Sequence, residues 1–211
     1  MDEDLEKLVD ALYNQRVPDA WGKVFLSLKP LMPWVEDLNA RVKFLRDWVI
    51  RGTPSVFWIS GFSFPQAFIT GTLQNYARKK KVAIDKISFD FRYMDDTKPE
   101  DVRSRPEDGV YIYGIYLEGA RCDYDKHSLT DPKPKELYSQ MPMMWLIPVV
   151  DREEVTEGIY MCPVYKVLSR AGTLLTTGHS TNFVMYIEAP SHRHQDAWIK
   201  AGVAGFLALR N

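Results

Sequence analysis

Ile87-Ser88-Phe89-Asp90-Phe91-Arg92-Tyr93 alternates apolar and polar residues without a break. Successive side chains of a β-strand point to opposite faces, so this run predicts a strand with one buried and one wet face. It is also a divide. Before it, apolar residues recur at helical spacing, and after it they recur as short β-rich runs.

Upstream, Leu5, Leu8, Val9 and Leu12 share one helical face, and acidic residues crowd the start, where the helix dipole favours them. Pro18 and Pro30 bracket a connector holding Trp21 and Phe25. The clearest helix follows: Val35, Leu38, Val42, Leu45 and Val49 form a stripe, with Trp34, Arg41 and Trp48 beside it. Pro33 suits its first turn, and Gly52 with Pro54 ends it. Residues 55–63 read equally as a buried strand or a helical turn. Pro65 opens a third long helix, running to about Lys80 and closing on Arg78-Lys79-Lys80-Lys81.

Downstream, 110–117, 143–150, 159–167 and 182–189 read as strands; 202–209 reads as strand or helix, and taken as strand it makes a sixth with 87–93. Pro148 and Pro163 predict edge positions or bulges, and a short helix fits 195–200. Helices first and antiparallel strands second define an α+β fold: a helical subdomain over 1–86 and a six-stranded antiparallel barrel-like β subdomain over 87–211, barrel closure removing unpaired edges.

Composition narrows the function. The 211 residues carry 27 Lys+Arg against 28 Asp+Glu, a formal net charge of −1. This balance argues against a generic binder of nucleic acid or anionic membrane, which carries a basic excess. Aromatic residues reach 13%, a large packing and docking surface, and the segment from Val56 to Phe68 holds more large apolar side chains than a single helix face can bury. Cys122 and Cys162 read as independent reduced thiols. No secretory leader opens the sequence and no apolar run approaches a spanning helix, so the expectation is a soluble intracellular protein.

Templates for catalysis fail on inspection. No P-loop and no dinucleotide-binding glycine pattern is present. Gly61-Phe62-Ser63-Phe64-Pro65 lacks the closing glycine of a nucleophile elbow. Gly178-His179-Ser180-Thr181-Asn182 fails likewise, although a Ser/His hydrolase using His179 or Ser180 remains a formal alternative, as does a free-standing adaptor. His192-x-His194 could chelate only with partners from elsewhere. The Asp95-Asp96 pair sits in a polar loop, and Asp123-Tyr124-Asp125 lacks the glycine and distal glutamate of a calcium loop. No cofactor and no metal site is expected.

Several ordered blocks resemble one family. They include Ser27-Leu28-Lys29-Pro30-Leu31, Trp34-Val35-Glu36-Asp37-Leu38, and the long run from Val56-Phe57-Trp58-Ile59-Ser60-Gly61-Phe62 through Pro65-Gln66-Ala67-Phe68 to Gln74-Asn75-Tyr76-Ala77-Arg78. Then come Asp108-Gly109-Val110-Tyr111-Ile112-Tyr113-Gly114, Leu117-Glu118-Gly119-Ala120-Arg121, Cys162-Pro163-Val164-Tyr165-Lys166, Thr176-Thr177-Gly178-His179-Ser180-Thr181-Asn182-Phe183 and Trp198-Ile199-Lys200. Together they resemble the C-terminal domain of dynein heavy chains, in versions that look axonemal. Ala83 departs from the proline that many relatives carry there.

The resemblance implies a terminal piece of a very long polypeptide: helices and a six-stranded barrel-like part packed across the AAA+ ring of an ATP-driven, minus-end-directed microtubule motor. It implies a domain that binds no nucleotide itself, ATP and Mg belonging to the AAA+ modules of the parent heavy chain. It would modulate motor output by bracing ring modules, in a ciliary or flagellar axoneme. Partners would be the ring modules of the same heavy chain and other dynein subunits, with microtubules reached only through the parent motor. Trp34, Arg41, Trp48, Arg78, Lys79 and Lys80 are the candidate ring-docking residues.

Overall fold

The computed structural model describes residues 3–95, 98–153, 155, 157–174, 176, 178 and 180–209. His179, Asp96 and Thr177, singled out in the sequence, lie outside the described residues.

The helical part holds α1 (Glu3–Tyr13), α2 (Asp19–Gly22), α3 (Leu31–Arg51) and α4 (Pro65–Lys80). Gly52, at φ 89°, stops α3 while its N–H donates to the Trp48 carbonyl. Pro65 opens α4, and Lys81 closes it in the left-handed region. Ala83 sits at φ −66°, the value that proline would impose, so its departure from the family pattern leaves the backbone path intact.

The strands are β1 (Val56–Trp58), β2 (Ile87–Tyr93), β3 (Val110–Tyr113), β4 (Tyr116–Glu118), β5 (Arg121–Asp123), β6 (Ser128–Thr130), β7 (Tyr138–Gln140), β8 (Met144–Val150), β9 (Ile159–Tyr165), β10 (Phe183–Pro190) and β11 (Ala204–Phe206), with α5 (Gln195–Lys200) before the last. They form a four-stranded sheet ordered β1-β3-β8-β2, a five-stranded sheet ordered β10-β9-β11-β4-β7, and the hairpin β5-β6. The α+β class and the 87–93 strand hold. The expectation of six antiparallel strands closing into a barrel does not. Among the described residues, eleven strands occupy three sheets, no sheet closes on itself, and two pairings, β1 with β3 and β11 with β9, are parallel.

One residue explains much of that correction. Gly114 sits at φ 96°, where a Cβ would lie 2.7 Å from the Trp58 ring and 2.8 Å from the Ser60 hydroxyl. The Ser60 hydroxyl donates to the Gly114 carbonyl. The run 110–117, read as one strand, therefore turns a corner: β3 stays in the four-stranded sheet and β4 enters the five-stranded one. The ambiguous 55–63 resolves as β1 followed by a 3₁₀ turn over Ile59–Gly61, because β3 supplies a parallel partner. The three-residue strands β5, β6 and β7 are too short to show a period.

Both strand prolines sit where one flank lacks a partner. Pro148 pairs with Phe89 of β2, but β3 reaches β8 only over Leu146 to Met144. Pro163 pairs with Tyr186, while β11 begins its pairing at Val164. Neither position loses a ladder hydrogen bond that a second neighbour would need.

A single core joins both halves. Phe57, Ile59 and Ile69 pack in one buried cluster with Ile112, Leu117, Leu146, Val164 and Ile187. α4 covers the four-stranded sheet through β2 and β8 and also touches β10.

Candidate docking surface

The two faces of α3 carry different chemistry. Leu31, Trp34, Asp37 and Arg41 are buried, and Phe44 and Trp48 are half-buried on the same side. Trp34 is 2% exposed and lies in a ring stack, 5.1 Å from Phe25 and 6.2 Å from Trp21. Trp48 meets Phe57 edge-on at 5.2 Å, and Phe44 meets Trp58 and Phe62 the same way. Arg41, 6% exposed, lies 4.2 Å above the Phe25 ring. Its Nη2 donates to Asp37 Oδ2 at 3.2 Å, its Nη1 donates to the Phe62 carbonyl at 3.4 Å, and Lys29 approaches the same carboxylate at 3.7 Å. Burial pulls the guanidinium below its ordinary pKa, and the charge and hydrogen bond of Asp37 oppose that shift.

Trp34 and Arg41 are therefore structural in this protein, and Trp48 has its ring engaged. Of the three docking candidates on α3, Trp34 and Arg41 are thus buried within the domain and Trp48 is half-buried. The physical reason is area: an aromatic side chain buries about 150–250 Å², more than a valine or leucine, so the Trp-Phe side turned inward.

The basic end of α4 is only partly open. Lys79 Nζ donates to Asp108 Oδ1 at 2.5 Å and lies 3.7 Å from Glu107, and the Asp108 hydrogen bond raises its pKa. Lys80 lies 5.6 Å over the Tyr76 ring. Arg78 is exposed. Lys79 thus pins α4 to the turn preceding β3.

The residues weighed for chemistry take local structural roles. Asp123 Oδ1 accepts the N–H groups of Asp125 and Lys126 and shapes the β5–β6 turn. His194 caps α5 by accepting the Asp196 N–H. Asn182 is fully buried and exchanges two hydrogen bonds with the Val167 backbone. Ser180 bridges to Leu174. Cys122 and Cys162 are free and buried, their thiols pushed up to about 11 and about 12, mainly by desolvation. Among the described residues, no three His, Cys, Asp or Glu gather as a metal site, and no helix is long and apolar enough to cross a membrane.

What lies open is apolar. On the outward side of α3, Val42 is 55% exposed, Leu45 44%, Ile50 72% and Val49 85%, with Met32 also exposed near the helix start. α1 has no buried residue, and its Leu5 and Val9 are also exposed. Clusters of exposed apolar side chains such as that on α3 are the kind of surface that interaction sites use. The sequence contained part of the signal, since Val42, Leu45 and Val49 belong to the quoted Val35-to-Val49 stripe, but not which of two adjacent stripes faces in.

Comparison with known proteins follows the same line. Residues 1–207 match the family described as the C-terminal domain of the dynein heavy chain. The protein is 52% identical to dynein axonemal heavy chain 1 of Homo sapiens over 210 residues, which is 99% of its own length and 5% of that protein. It is 45% identical to Homo sapiens dynein axonemal heavy chain 3 over 214 residues, which is 100% of its own length and 5% of that protein. It is 46% identical to dynein axonemal heavy chain 12 of Mus musculus over 213 residues, which is 100% of its own length and 7% of that protein. It thus spans only a small fraction of the length of the curated relatives it matches. A match over nearly every residue, on a fold whose N-terminal helices present an apolar face, makes this polypeptide a member of the family formed by the C-terminal domains of dynein heavy chains.

Proposed function

We propose that the 211 residues are the non-catalytic regulatory and docking domain of an axonemal dynein heavy chain. In this reading the domain packs on the AAA+ ring of an ATP-driven, minus-end-directed microtubule motor in a ciliary or flagellar axoneme. ATP and Mg bind the AAA+ modules of the parent heavy chain. The domain modulates motor output by touching more than one ring module, so that its binding favours some relative positions of those modules over others.

The observation that carries the reading is the exposed apolar residues of α1 and, separately, of α3, beside a core buried among the sheets and α4. The axonemal names of the relatives supply the setting. The test is a heavy chain lacking these 211 residues, compared with the intact motor for stepping, force and ATP turnover. The expected result is altered force and stepping with ATP turnover retained. Unchanged behaviour in all three measurements would sink the regulatory role.

A further inference from the structure

The outward stripe of α3 has a stricter pattern than an ordinary amphipathic helix. Val35, Leu38, Val42, Leu45 and Val49 are spaced three, four, three and four residues apart. That is a heptad seam, with valine at every a position and leucine at both d positions. β-branched a residues with leucine at d are the combination that favours two-stranded helix packing. The seam runs about 21 Å along the helix, at 1.5 Å per residue.

A helix that merely covers its own domain needs no such seam, and the half of it holding Val42, Leu45 and Val49 does not serve that purpose. The buried side of α3 is made by the adjacent positions, Trp34, Asp37, Arg41, Phe44 and Trp48. The seam is half-buried at Val35 and Leu38 and opens toward the helix end at Val42, Leu45 and Val49. The backbone groups in the middle of α3 are satisfied within the helix, so a partner can be held here only by side-chain packing, not by strand addition.

Charge restricts the partner further. Of the charged residues on the open half of α3, Arg46 alone flanks the seam, at an e position, while Lys43, Asp47 and Arg51 lie at b, f and c, turned away from a paired helix. Asp47 is already shared, 3.4 Å from Lys43 and 3.9 Å from Arg51. Arg46 makes no ion pair or hydrogen bond among the described residues. A second copy of this domain would offer Arg46 no acid, since the e and g positions of the seam are Asn39, Arg46, Trp34, Arg41 and Trp48, which disfavours self-pairing. The domain matches only 5% of the length of a relative, and a segment of the same polypeptide would be held at high effective concentration.

We infer that the Val35–Val49 face of α3 pairs, as a two-stranded heptad seam, with an acid-flanked amphipathic α-helix from elsewhere in the same heavy chain. This rests on the docking reading above and adds the shape, charge and source of what docks.

The test uses the intact heavy chain with a benzophenone amino acid placed singly at Val42, at Val49, and at exposed Lys133 as a control, followed by mapping of the photo-adducts. The expected result is that both seam positions label one helix of the same polypeptide. Val42 and Val49 are one heptad apart, so the labelled sites should lie about seven residues apart, with Asp or Glu beside them. Arg46→Glu should lower adduct yield about tenfold, and reversal of the labelled helix's acidic neighbours should restore it. Labels in loops, strands or two separate helices overturn the seam while leaving docking intact. Labels from a second copy or from another protein overturn the cis source. Labelling no greater than at Lys133 overturns both the seam and the docking reading.

Discussion

The sheet core and the outward side of α3 are built from the same residue types and behave as opposites. In the core, Ile112, Leu117, Leu146, Val164, Ile187 and Phe206 are wholly buried. On α3, Val42, Leu45 and Val49 stand in solvent, within about two helix turns of the buried Arg41 and the half-buried Phe44 and Trp48. The difference teaches that hydrophobicity here serves two purposes. One set of side chains drives folding through removal of apolar area from water. The other contributes little to the isolated fold and is available for association.

The sharpest contrast is in stability. Phe206→Ala, in central strand β11, should cost about 3–5 kcal/mol, read as a fall in the urea midpoint without a change in slope. A loss below about 1 kcal/mol would mean that the sheet core is not the source of stability. The thiols report the dryness of the same region. With Cys162 at about 12 and Cys122 at about 11, alkylation of the folded protein at pH 8 should be slower than in urea, by about 10³-fold for Cys162. Both thiols are raised on folding, so their contribution to stability is complete below the ordinary thiol range and is lost as pH climbs through it toward 11–12. Equal alkylation rates in both states would break the comparison from the core side.

Asp37→Ala lies on the inward side of α3. It strands the buried Arg41 charge and should cost about 3 kcal/mol, while the double change Asp37→Leu with Arg41→Met should recover most of that. Both effects are read by chemical denaturation. On the outward side, Val42→Ser with Val49→Ser should leave stability within about 0.5 kcal/mol yet reduce association with the rest of the heavy chain. A cost above about 2 kcal/mol would place that stripe in the fold, not at an interface. Smallest of all is Lys79→Ala at the α4 end, an exposed tie to Asp108. The Lys79 pKa is raised by folding, so whatever the tie contributes is present below the ordinary lysine range and fades as pH rises through it. A thermal melt at neutral pH should barely move.

The sequence by itself determined the elements that carry their own periodicity. The 87–93 alternation is a strand because apolar and polar residues take opposite faces, and α3, α4 and α5 fall where spacing and prolines put them. Family membership was equally legible, since ordered blocks such as Cys162-Pro163-Val164-Tyr165-Lys166 survive any change of fold detail. Three decisions belonged to the tertiary structure. Gly114 turned one strand into two because Trp58 and Ser60, more than fifty residues away in sequence, occupy the space beside it. Residues 56–58 became a strand because β3 offered a partner. α3 chose which of two adjacent stripes to bury, since both have helical period and only the area of the Trp-Phe side, set against Phe25, Phe57, Trp58 and Phe62, separates them. Local pattern fixes what an element is; contact between distant residues fixes where it bends and which way it faces.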